Sequence, residues 1–295
     1  MHSSFIISEV SRQYSIDIWS IEYFTRESVI YDESLSRMLF ILMNGTEKYL
    51  LKLHGKYESS HIQQIFERLS TSGDITIMPV KTYWGKYEAN IGKYKWFLFP
   101  YRVMNSIKWG SMPLILDRYL ELKKLFNTRK IESESSFRKW ILKTIFYVVG
   151  CSSDLERIIT QFLEKQQLEI WLMGYYKSLK DIEFSVIHGS IWEENIYITN
   201  DKVTFIDFDN VCLGDPYYDY ASLWLMWYSF GAWIWEILEV FSKRIPDFDY
   251  QKFLLSGIFV GIKCIQYTHP NDSEIMRKHL ESWLRFITDL LQCKQ

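Results

Sequence analysis

Polar side chains lie between two short apolar runs in the C-terminal half of the chain. The first run, residues 184–187, leads into His-Gly-Ser at 188–190, and Asn195 follows five residues after the serine. The second run, residues 203–208, contains Asp207. Amide and carboxylate oxygens at the ends of two strands can face each other across a hairpin, and they suit Mg²⁺, which takes its other ligands from water and phosphate. The spacing therefore predicts a site that holds a nucleotide's phosphates for transfer.

Further carboxylates follow directly. Asp209 comes two residues after Asp207, and residues 214–220 have the sequence G-D-P-Y-Y-D-Y, which contains Asp215 and Asp219. Aspartate also favours turns and helix caps, so Asp209 and Asp215 are equally well explained as turn-forming residues.

The ordered set H-G-S-x-x-x-x-N, I-D-F-D and G-D-P-x-x-D resembles the superfamily of aminoglycoside phosphotransferases, choline kinases and type II homoserine kinases, which are relatives of protein kinases. The resemblance extends over most of the chain. It implies an α+β, bilobal protein-kinase-like fold with a small antiparallel-sheet N-lobe and a mainly helical C-lobe. It also implies ATP (or GTP) with Mg²⁺ as cofactors and a small hydroxylated molecule as the acceptor.

The same resemblance implies roles for the residues around the loop. Asn195 and Asp207 match metal ligands that also serve in catalysis, and Asp209 is a third candidate ligand. His188 would brace the loop, and Asp219 would hold the loop from behind by hydrogen bonds.

In the N-terminal part, the resemblance implies that Lys52 contacts the α- and β-phosphates and that Glu67, on the following helix, pairs with it. The sequence supports the lysine independently, because it lies among apolar strand residues where an ammonium needs a partner. Phe99, Pro100 and Tyr101 would form the hinge beside the adenine.

Ser190 occupies the position at which those enzymes usually have an aspartate that accepts the acceptor's hydroxyl proton. A serine hydroxyl does not ionise near pH 7 and is no base unless another group activates it. A positioned general base supplies roughly 10²–10⁴ in rate, whereas phosphoryl transfer depends mostly on positioning and charge neutralisation. Glu193 and Glu194 are nearby alternatives, although their side chains start three and four residues further along.

Two functions are therefore open. The chain is either an atypical phosphotransferase, or a pseudokinase that binds nucleotide or acts as a scaffold with a protein partner, as in spore-coat-associated relatives. A serine introduced to trap a complex is a third explanation of Ser190.

Secondary-structure signals favour two lobes, residues 1–100 for nucleotide binding and residues 101–295 for the catalytic loop and acceptor site. In the first lobe, Asn44-Gly45 is a hairpin signal; strands are predicted at 37–43, 48–54, 75–79 and 94–99, and a helix at 59–69. Helices are predicted at 114–126, 137–149, 155–179 and from 218 onwards, with stops near Pro246 and Pro270. Residues 21–36 contain no glycine, although a phosphate-covering loop would lie there.

Composition excludes some partners. The 295 residues are 48% hydrophobic and 24% charged, with a formal net charge of −2. The chain has no basic tail, which argues against nucleic acid, because phosphate binding needs clustered Lys and Arg. No stretch of about 18 residues is apolar enough for a bilayer, and the N-terminal apolar run is too short for a signal peptide. We therefore expect a cytoplasmic protein without a membrane partner.

Cysteine spacing and ring content indicate an ordinary core. The four cysteines are far apart without a C-x-x-C pair, which argues against a zinc site or a disulfide framework. The aromatic fraction of 17% predicts a core built from large rings. For the tryptophans at 224, 227, 233 and 235 this favours core packing over an acceptor pocket.

Overall fold

The computed structural model describes residues 3–23, 39–53, 59–71, 75–101, 111–126, 135–150, 165–199, 202–229, 231–232 and 234–266. The chain divides into two compact units. The first contains residues 1–106 and 197–209, and the second contains residues 107–196 and 210–295. None of the helices in the described ranges is long and apolar enough to cross a bilayer.

An antiparallel five-stranded sheet forms the centre of the first unit, in the order β1-β2-β3-β5-β4. Its strands are β1 (Ser20–Tyr23), β2 (Leu39–Asn44), β3 (Glu47–Leu53), β4 (Glu88–Ile91) and β5 (Tyr94–Pro100). Two tight turns set the register, because Gly45 and Gly92 have φ angles of 58° and 62°, which glycine adopts without steric cost. The predicted hairpin at Asn44-Gly45 is confirmed, since Asn44 pairs with Glu47.

The two faces of this sheet are covered differently. Leu51 and Leu53 of β3 point towards helix α1 (Ser3–Tyr14), whose Val10 is part of the same core. Alternation along β3 places Lys52 on the opposite face, where its partner in the register is Phe97. Phe66 of helix α2 (Ser59–Leu69) packs edge-on against Phe97 at a centroid distance of 5.6 Å. Lys52 therefore shares its face with aromatic side chains.

A hairpin from later in the chain joins the first unit. It consists of β7 (Ile196–Thr199) and β8 (Lys202–Phe205). The Phe205 N–H donates to the Ile75 carbonyl at 2.9 Å, and the Thr76 hydroxyl donates to the Phe205 carbonyl at 2.7 Å. The predicted strand at 75–79 is wrong as a regular strand. It forms one isolated bridge at Thr76, and Pro79 has no N–H to extend a ladder.

The second unit is mainly helical. Its helices are α3 (Met112–Phe126), α4 (Ser135–Gly150), α5 (Lys165–Ser178), α6 (Pro216–Ser229), α7 (Ile234–Arg244) and α8 (Tyr250–Gln266). Two short strands, β6 (Ser185–Ile187) and β9 (Cys212–Gly214), pair antiparallel. Single 3-10 turns occupy Glu193–Asn195 and Phe208–Asn210. The predicted stop near Pro246 is confirmed, whereas Pro270 and residues 151–164 lie outside the described residues.

Helix α6 lies in the centre of the second unit. It is apolar around most of its circumference, as expected for a helix buried on all sides. Trp224 and Trp227 are fully buried, and Trp224 stacks on Phe253 of α8 with centroids 4.5 Å apart. Core packing is therefore confirmed for both tryptophans. Trp235 on α7 is exposed, and Trp233 lies outside the described residues.

Gly214→Ala tests how tightly β9 packs in the second unit. A Cβ at Gly214 would lie 2.8 Å from Ile187 Cδ1 and 2.8 Å from Phe137 Cδ2, and both of these side chains are buried. We expect the substitution to lower the free energy of unfolding by about 1–3 kcal/mol, because an overpacked core must shift. The change is measured as a lower urea midpoint.

Gly174→Ala is the matched control. It lies within α5, and no heavy atom lies within 4 Å of its added Cβ. We expect this variant to gain about 0.5–1 kcal/mol from helix propensity. Equal urea midpoints for the two variants would contradict the packing at Gly214.

Candidate functional site

The loop after β6 is held by one carboxylate from α6. Asp219 Oδ2 accepts the backbone N–H of His188 at 2.6 Å, and Asp219 Oδ1 accepts the backbone N–H of Gly189 at 3.0 Å. The side chains of Asp219 and His188 are both fully buried. The prediction that Asp219 holds the loop by hydrogen bonds is confirmed, and both of its oxygens are used.

Glycine is required at position 189 for two reasons. Its φ angle is 77°, in the left-handed region that side chains rarely adopt. In addition, a Cβ there would lie 2.4 Å from the carbonyl oxygen of Asn210. The loop can therefore pass close to the backbone at Asn210 only because residue 189 has no side chain.

Asn195 closes the other end of the loop. Its Nδ2 donates to the Ser190 carbonyl oxygen at 2.8 Å and to Ser190 Oγ at 3.3 Å. Both bonds use the amide nitrogen, an assignment that follows from the hydrogen-bond network. The Oδ1 atom, which is the one able to bind a cation, is not engaged by the described residues, so the asparagine fits a role as an oxygen ligand.

In the first unit, Lys52 Nζ forms an ion pair and hydrogen bond with Asp207 Oδ1. Asp207 has a φ angle of 64°, which aspartate tolerates better than most residues. The residues on both sides are anchored, since Phe205 bonds to Ile75 and Phe208 packs on Phe66 at 6.0 Å. A lysine and a carboxylate side by side suit phosphate oxygens and the cation that accompanies them.

The remaining predicted residues take different positions. Glu67 is exposed and accepts a hydrogen bond from Gln63 Nε2 at 3.5 Å, so the structure does not bring it to Lys52. The physical reason is helical geometry, because Phe66 points into the aromatic cluster and its neighbour is turned about 100° away. Lys52 contacts the carboxylate of Asp207.

Phe99 and Tyr101 lie at the end of β5. Phe99 is half-buried and packs edge-on against Phe66 at 6.0 Å, on the face of the sheet that carries Lys52. The Tyr101 N–H donates to the Lys48 carbonyl at 2.9 Å, which extends the pairing of β3 and β5 past Pro100. The side chain of Asp209 lies outside the described residues.

Asp215 is the N-cap of α6. Its Oδ1 accepts the Tyr217 N–H at 2.9 Å, and its Oδ2 accepts the Tyr175 hydroxyl at 2.9 Å. The carboxylate is fully buried, and burial raises its pKa to about 6, although these hydrogen bonds act in the opposite direction. The interpretation of Asp215 as a capping residue is therefore correct, and this cap is a buried one.

Sequence reasoning missed the side chains that support Asp219 and Asp215 from other helices. Tyr119 of α3 donates its hydroxyl to Asp219 Oδ2, and Tyr175 of α5 donates to Asp215. Tyr119 precedes Asp219 by 100 residues, and no motif links the two. Across the described residues, no group of three or more His, Cys, Asp or Glu side chains could hold a metal ion.

The chain is similar to known proteins in one segment of its sequence and in its fold. A model of the phosphotransferase enzyme family matches residues 154–249, about a third of the chain. The chain matches no curated protein.

Solved structures match almost the whole chain at low identity. A spectinomycin phosphotransferase in complex with ADP and spectinomycin is 13% identical over 99% of this chain and 99% of its own, with a TM-score of 0.65. A choline kinase from Streptococcus pneumoniae is 13% identical over 98% of both chains, with a TM-score of 0.64. An amicoumacin kinase in complex with AMP-PNP, Ca²⁺ and Ami is 12% identical over 98% of this chain and 94% of its own, with a TM-score of 0.65.

The chain therefore has the bilobal α+β protein-kinase-like fold that the motifs predict. Together with the match at residues 154–249, this fold confirms the resemblance to the superfamily of aminoglycoside phosphotransferases, choline kinases and type II homoserine kinases.

Asp215→Asn tests the buried cap by its pH dependence. Because the pKa of Asp215 is raised from 3.8 to about 6, the native protein keeps a proton that the unfolded chain releases earlier. The stability that protonated Asp215 contributes to the native state is fully present below about pH 4 and is lost as the pH rises through 6. Asparagine keeps the cap without this titration. Between pH 4 and pH 7, we therefore expect the free energy of unfolding of the variant to rise relative to that of the parent by up to about 3 kcal/mol.

The measurement is urea unfolding at several pH values. Asp249→Asn is the matched control, because Asp249 caps α8 through the N–H groups of Gln251 and Lys252 from a more exposed position. A difference between Asp215→Asn and the parent that stays constant with pH would show that Asp215 does not titrate in this range.

Proposed function

We propose that this chain is a small-molecule phosphotransferase that moves the γ-phosphate of ATP, or of GTP, to the hydroxyl of a small acceptor. The observation that carries the proposal is the contact between Lys52 and Asp207 at the centre of the first unit of a kinase-like fold. Outside a nucleotide site, a half-buried lysine between Leu51 and Leu53 has little reason to meet a carboxylate from a segment 155 residues away.

Each predicted residue has a role in this proposal. Asp207 and Asn195 are the ligands for Mg²⁺, which when bound neutralises phosphate charge. Lys52 binds the α- and β-phosphates, and Phe99 and Tyr101 border the base. Glu67 and Asp209 stay predictions, the first as a partner of Lys52 and the second as a further ligand.

The proton of the acceptor hydroxyl needs a different route here. The acceptor oxygen forms the new bond to the γ-phosphorus, the bond to the leaving oxygen breaks, and the proton passes to a phosphoryl oxygen. Ser190 Oγ accepts a hydrogen bond from Asn195, so its own O–H can donate and orient the acceptor or a phosphoryl oxygen. We expect slow turnover, because a general base normally contributes roughly 10²–10⁴ in rate.

A pseudokinase is the second candidate, and Ser190 favours it. Position 190 has no carboxylate, and Glu193 is exposed on the following 3-10 turn. In this case the fold binds nucleotide without turnover, or acts as a scaffold for a protein partner, as in spore-coat-associated relatives. Nucleotide binding alone does not distinguish the two candidates, so they need separate experiments.

For the acceptor we propose chemical classes of molecule and no single compound. The matched structures are a spectinomycin phosphotransferase, a choline kinase and an amicoumacin kinase, whose names share a small-molecule acceptor. Aminoglycosides are polycations and suit acidic sites, whereas the C-terminal third of this chain is more aromatic than acidic. We therefore favour amino alcohols, nucleosides or macrolide-like compounds as the first acceptors to test.

Nucleotide binding is tested by thermal shift with ATP or GTP, with and without Mg²⁺. A ligand at 100 times its Kd stabilises the native state by about 2.7 kcal/mol, which gives a measurable rise in Tm. We expect Lys52→Met to lose this rise, because it removes the cation that meets the phosphates. Lys48→Met on the same strand is the control, since Lys48 is exposed. If neither nucleotide shifts the Tm, the chain is better described as a scaffold.

Ser190→Asp tests the missing proton acceptor. The hydrogen bonds that hold the loop use backbone groups and Asn195, so an aspartate can enter without replacing them. We expect turnover of a suitable acceptor to rise by roughly 10²–10⁴, measured as ADP or GDP released per enzyme. Ser190→Asn supplies the same volume without a charge and should give no gain. A variant that binds nucleotide normally but shows no gain would indicate a pseudokinase.

A further inference from the structure

The Asp219 carboxylate needs more than the loop to stay in place. Its two oxygens accept the N–H groups of His188 and Gly189, and Oδ2 also accepts the hydroxyl of Tyr119. Because the side chain is fully buried, water cannot replace any of these donors. The tyrosine hydroxyl therefore helps to set the angle at which the carboxylate meets the two loop amides.

A second buried carboxylate makes the charge in this region larger. Asp215 lies four residues before Asp219 on the same side of α6, and it is also fully buried. Two negative charges out of water need a cation nearby, because a buried charge without a partner costs several kcal/mol. The N-terminus of α6 supplies part of the compensation through its dipole.

Lys123 is a half-buried lysine that interacts electrostatically with both carboxylates. Burial lowers the pKa of Lys123, while the charges of Asp219 and Asp215 act in the opposite direction. Its ammonium donates to the Tyr220 hydroxyl at 3.3 Å and lies 4.8 Å from the centre of the Tyr220 ring. These contacts fix the ammonium next to the first turn of α6.

Tyr119 and Lys123 belong to one surface of α3. They are four residues apart, so they lie one above the other on the helix. The Tyr220 ring joins them, since it meets the Tyr119 ring edge-on at a centroid distance of 5.7 Å and accepts the Lys123 ammonium on its hydroxyl. One face of α3 thus presents a hydroxyl donor to Asp219 and a cation to the neighbouring Tyr220.

We propose that Tyr119 and Lys123 are positioning residues for the loop at 188–190, and that they act through Asp219. Tyr119 fixes the orientation of the carboxylate, and Lys123, held on the hydroxyl and ring of the neighbouring Tyr220, places a positive charge near it. The inference rests on the proposed function for the statement that this loop is catalytic. The contacts and the test below do not require turnover.

The test observes the Gly189 amide in the full chain by NMR. Labelling with carbonyl-¹³C histidine and ¹⁵N glycine selects His-Gly pairs, of which the sequence has two, at 54–55 and at 188–189. His54→Gln removes the first signal and so identifies the second. We expect Tyr119→Phe and Lys123→Met each to speed hydrogen exchange at Gly189 by about 10-fold or more, because charge-assisted bonds are weakened. Lys123→Arg should restore the slow exchange.

Matched controls separate positioning from general loss of stability. Tyr175→Phe removes another fully buried tyrosine hydroxyl, but one that bonds to Asp215 and not to Asp219. Lys124→Met removes the exposed lysine next in sequence. Both should leave Gly189 exchange within about twofold of the parent. The proposal is overturned if Tyr175→Phe speeds Gly189 exchange as much as Tyr119→Phe does, or if Lys123→Arg behaves like Lys123→Met.

Turnover gives an independent second measurement. If the chain transfers phosphate, Tyr119→Phe should lower kcat by about 10-fold and leave the KM for nucleotide unchanged, since Tyr119 positions the loop and does not touch the nucleotide. An unchanged kcat would contradict the proposal. If the parent transfers no phosphate, the proposed function fails, whereas the exchange of the Gly189 amide still decides the role of Tyr119 and Lys123.

Discussion

Burial of the Asp219 charge is the constraint on which the second unit depends. A carboxylate without access to water is tolerated only when hydrogen bonds and a nearby cation replace its hydration. Two helices and a loop meet that requirement together, because α6 carries the carboxylate, α3 supplies a hydroxyl and a nearby ammonium, and the loop supplies two amides. Any rearrangement of the loop must break a charge-assisted hydrogen bond in a site that water does not reach. The conformation of the loop is thus a consequence of packing around a charge.

The first unit also contains a charged side chain in largely apolar surroundings, and there too an oppositely charged group stabilises it. Lys52 lies on a sheet face that carries the aromatic rings of Phe97 and Phe99, and its ammonium is accommodated by the carboxylate of Asp207. That carboxylate is presented by a backbone in the left-handed region, between two phenylalanines that are anchored to the same unit. Local strain at an aspartate is maintained because the residues on either side are fixed.

The sequence was informative where local pattern determines structure. The hairpin at Asn44-Gly45, helix α2 and the amphipathic helix α3 follow from turn chemistry and periodicity, and the motif order predicted the fold class. The short elements were harder. Helix α1 and strands β1, β4 and β9 were not predicted, because strands of three or four residues are too short to show a clear alternation, and polar residues interrupt the apolar pattern of α1.

The site was predictable to the extent that its residues lie close together in sequence. Asn195 and Ser190 are five residues apart and are bonded in the structure, whereas the Lys52 contact with Asp207 spans 155 residues, and the expected partner was Glu67. Glu67 does not meet Lys52 because of its position on helix α2. Phe66 faces the aromatic cluster, and the next residue, Glu67, faces solvent. Tyr119 and Lys123 gave no signal at all, because buried hydroxyl and ammonium groups are identified by what surrounds them.

The hydrogen bonds around Ser190 show that the conformation of the loop depends little on which side chain occupies position 190. The loop is held through the backbone N–H groups of His188 and Gly189, through the carbonyl oxygen of Ser190, and through the side chain of Asn195. A side chain at 190 adds one further contact, the 3.3 Å bond from Asn195 to Oγ, which a carboxylate oxygen can equally accept. A serine in place of the carboxylate therefore leaves the hydrogen bonds that hold the loop almost unchanged. Selection on the fold and on nucleotide binding can then proceed independently of selection on proton transfer, so an intact frame is evidence for binding and is not by itself evidence for turnover.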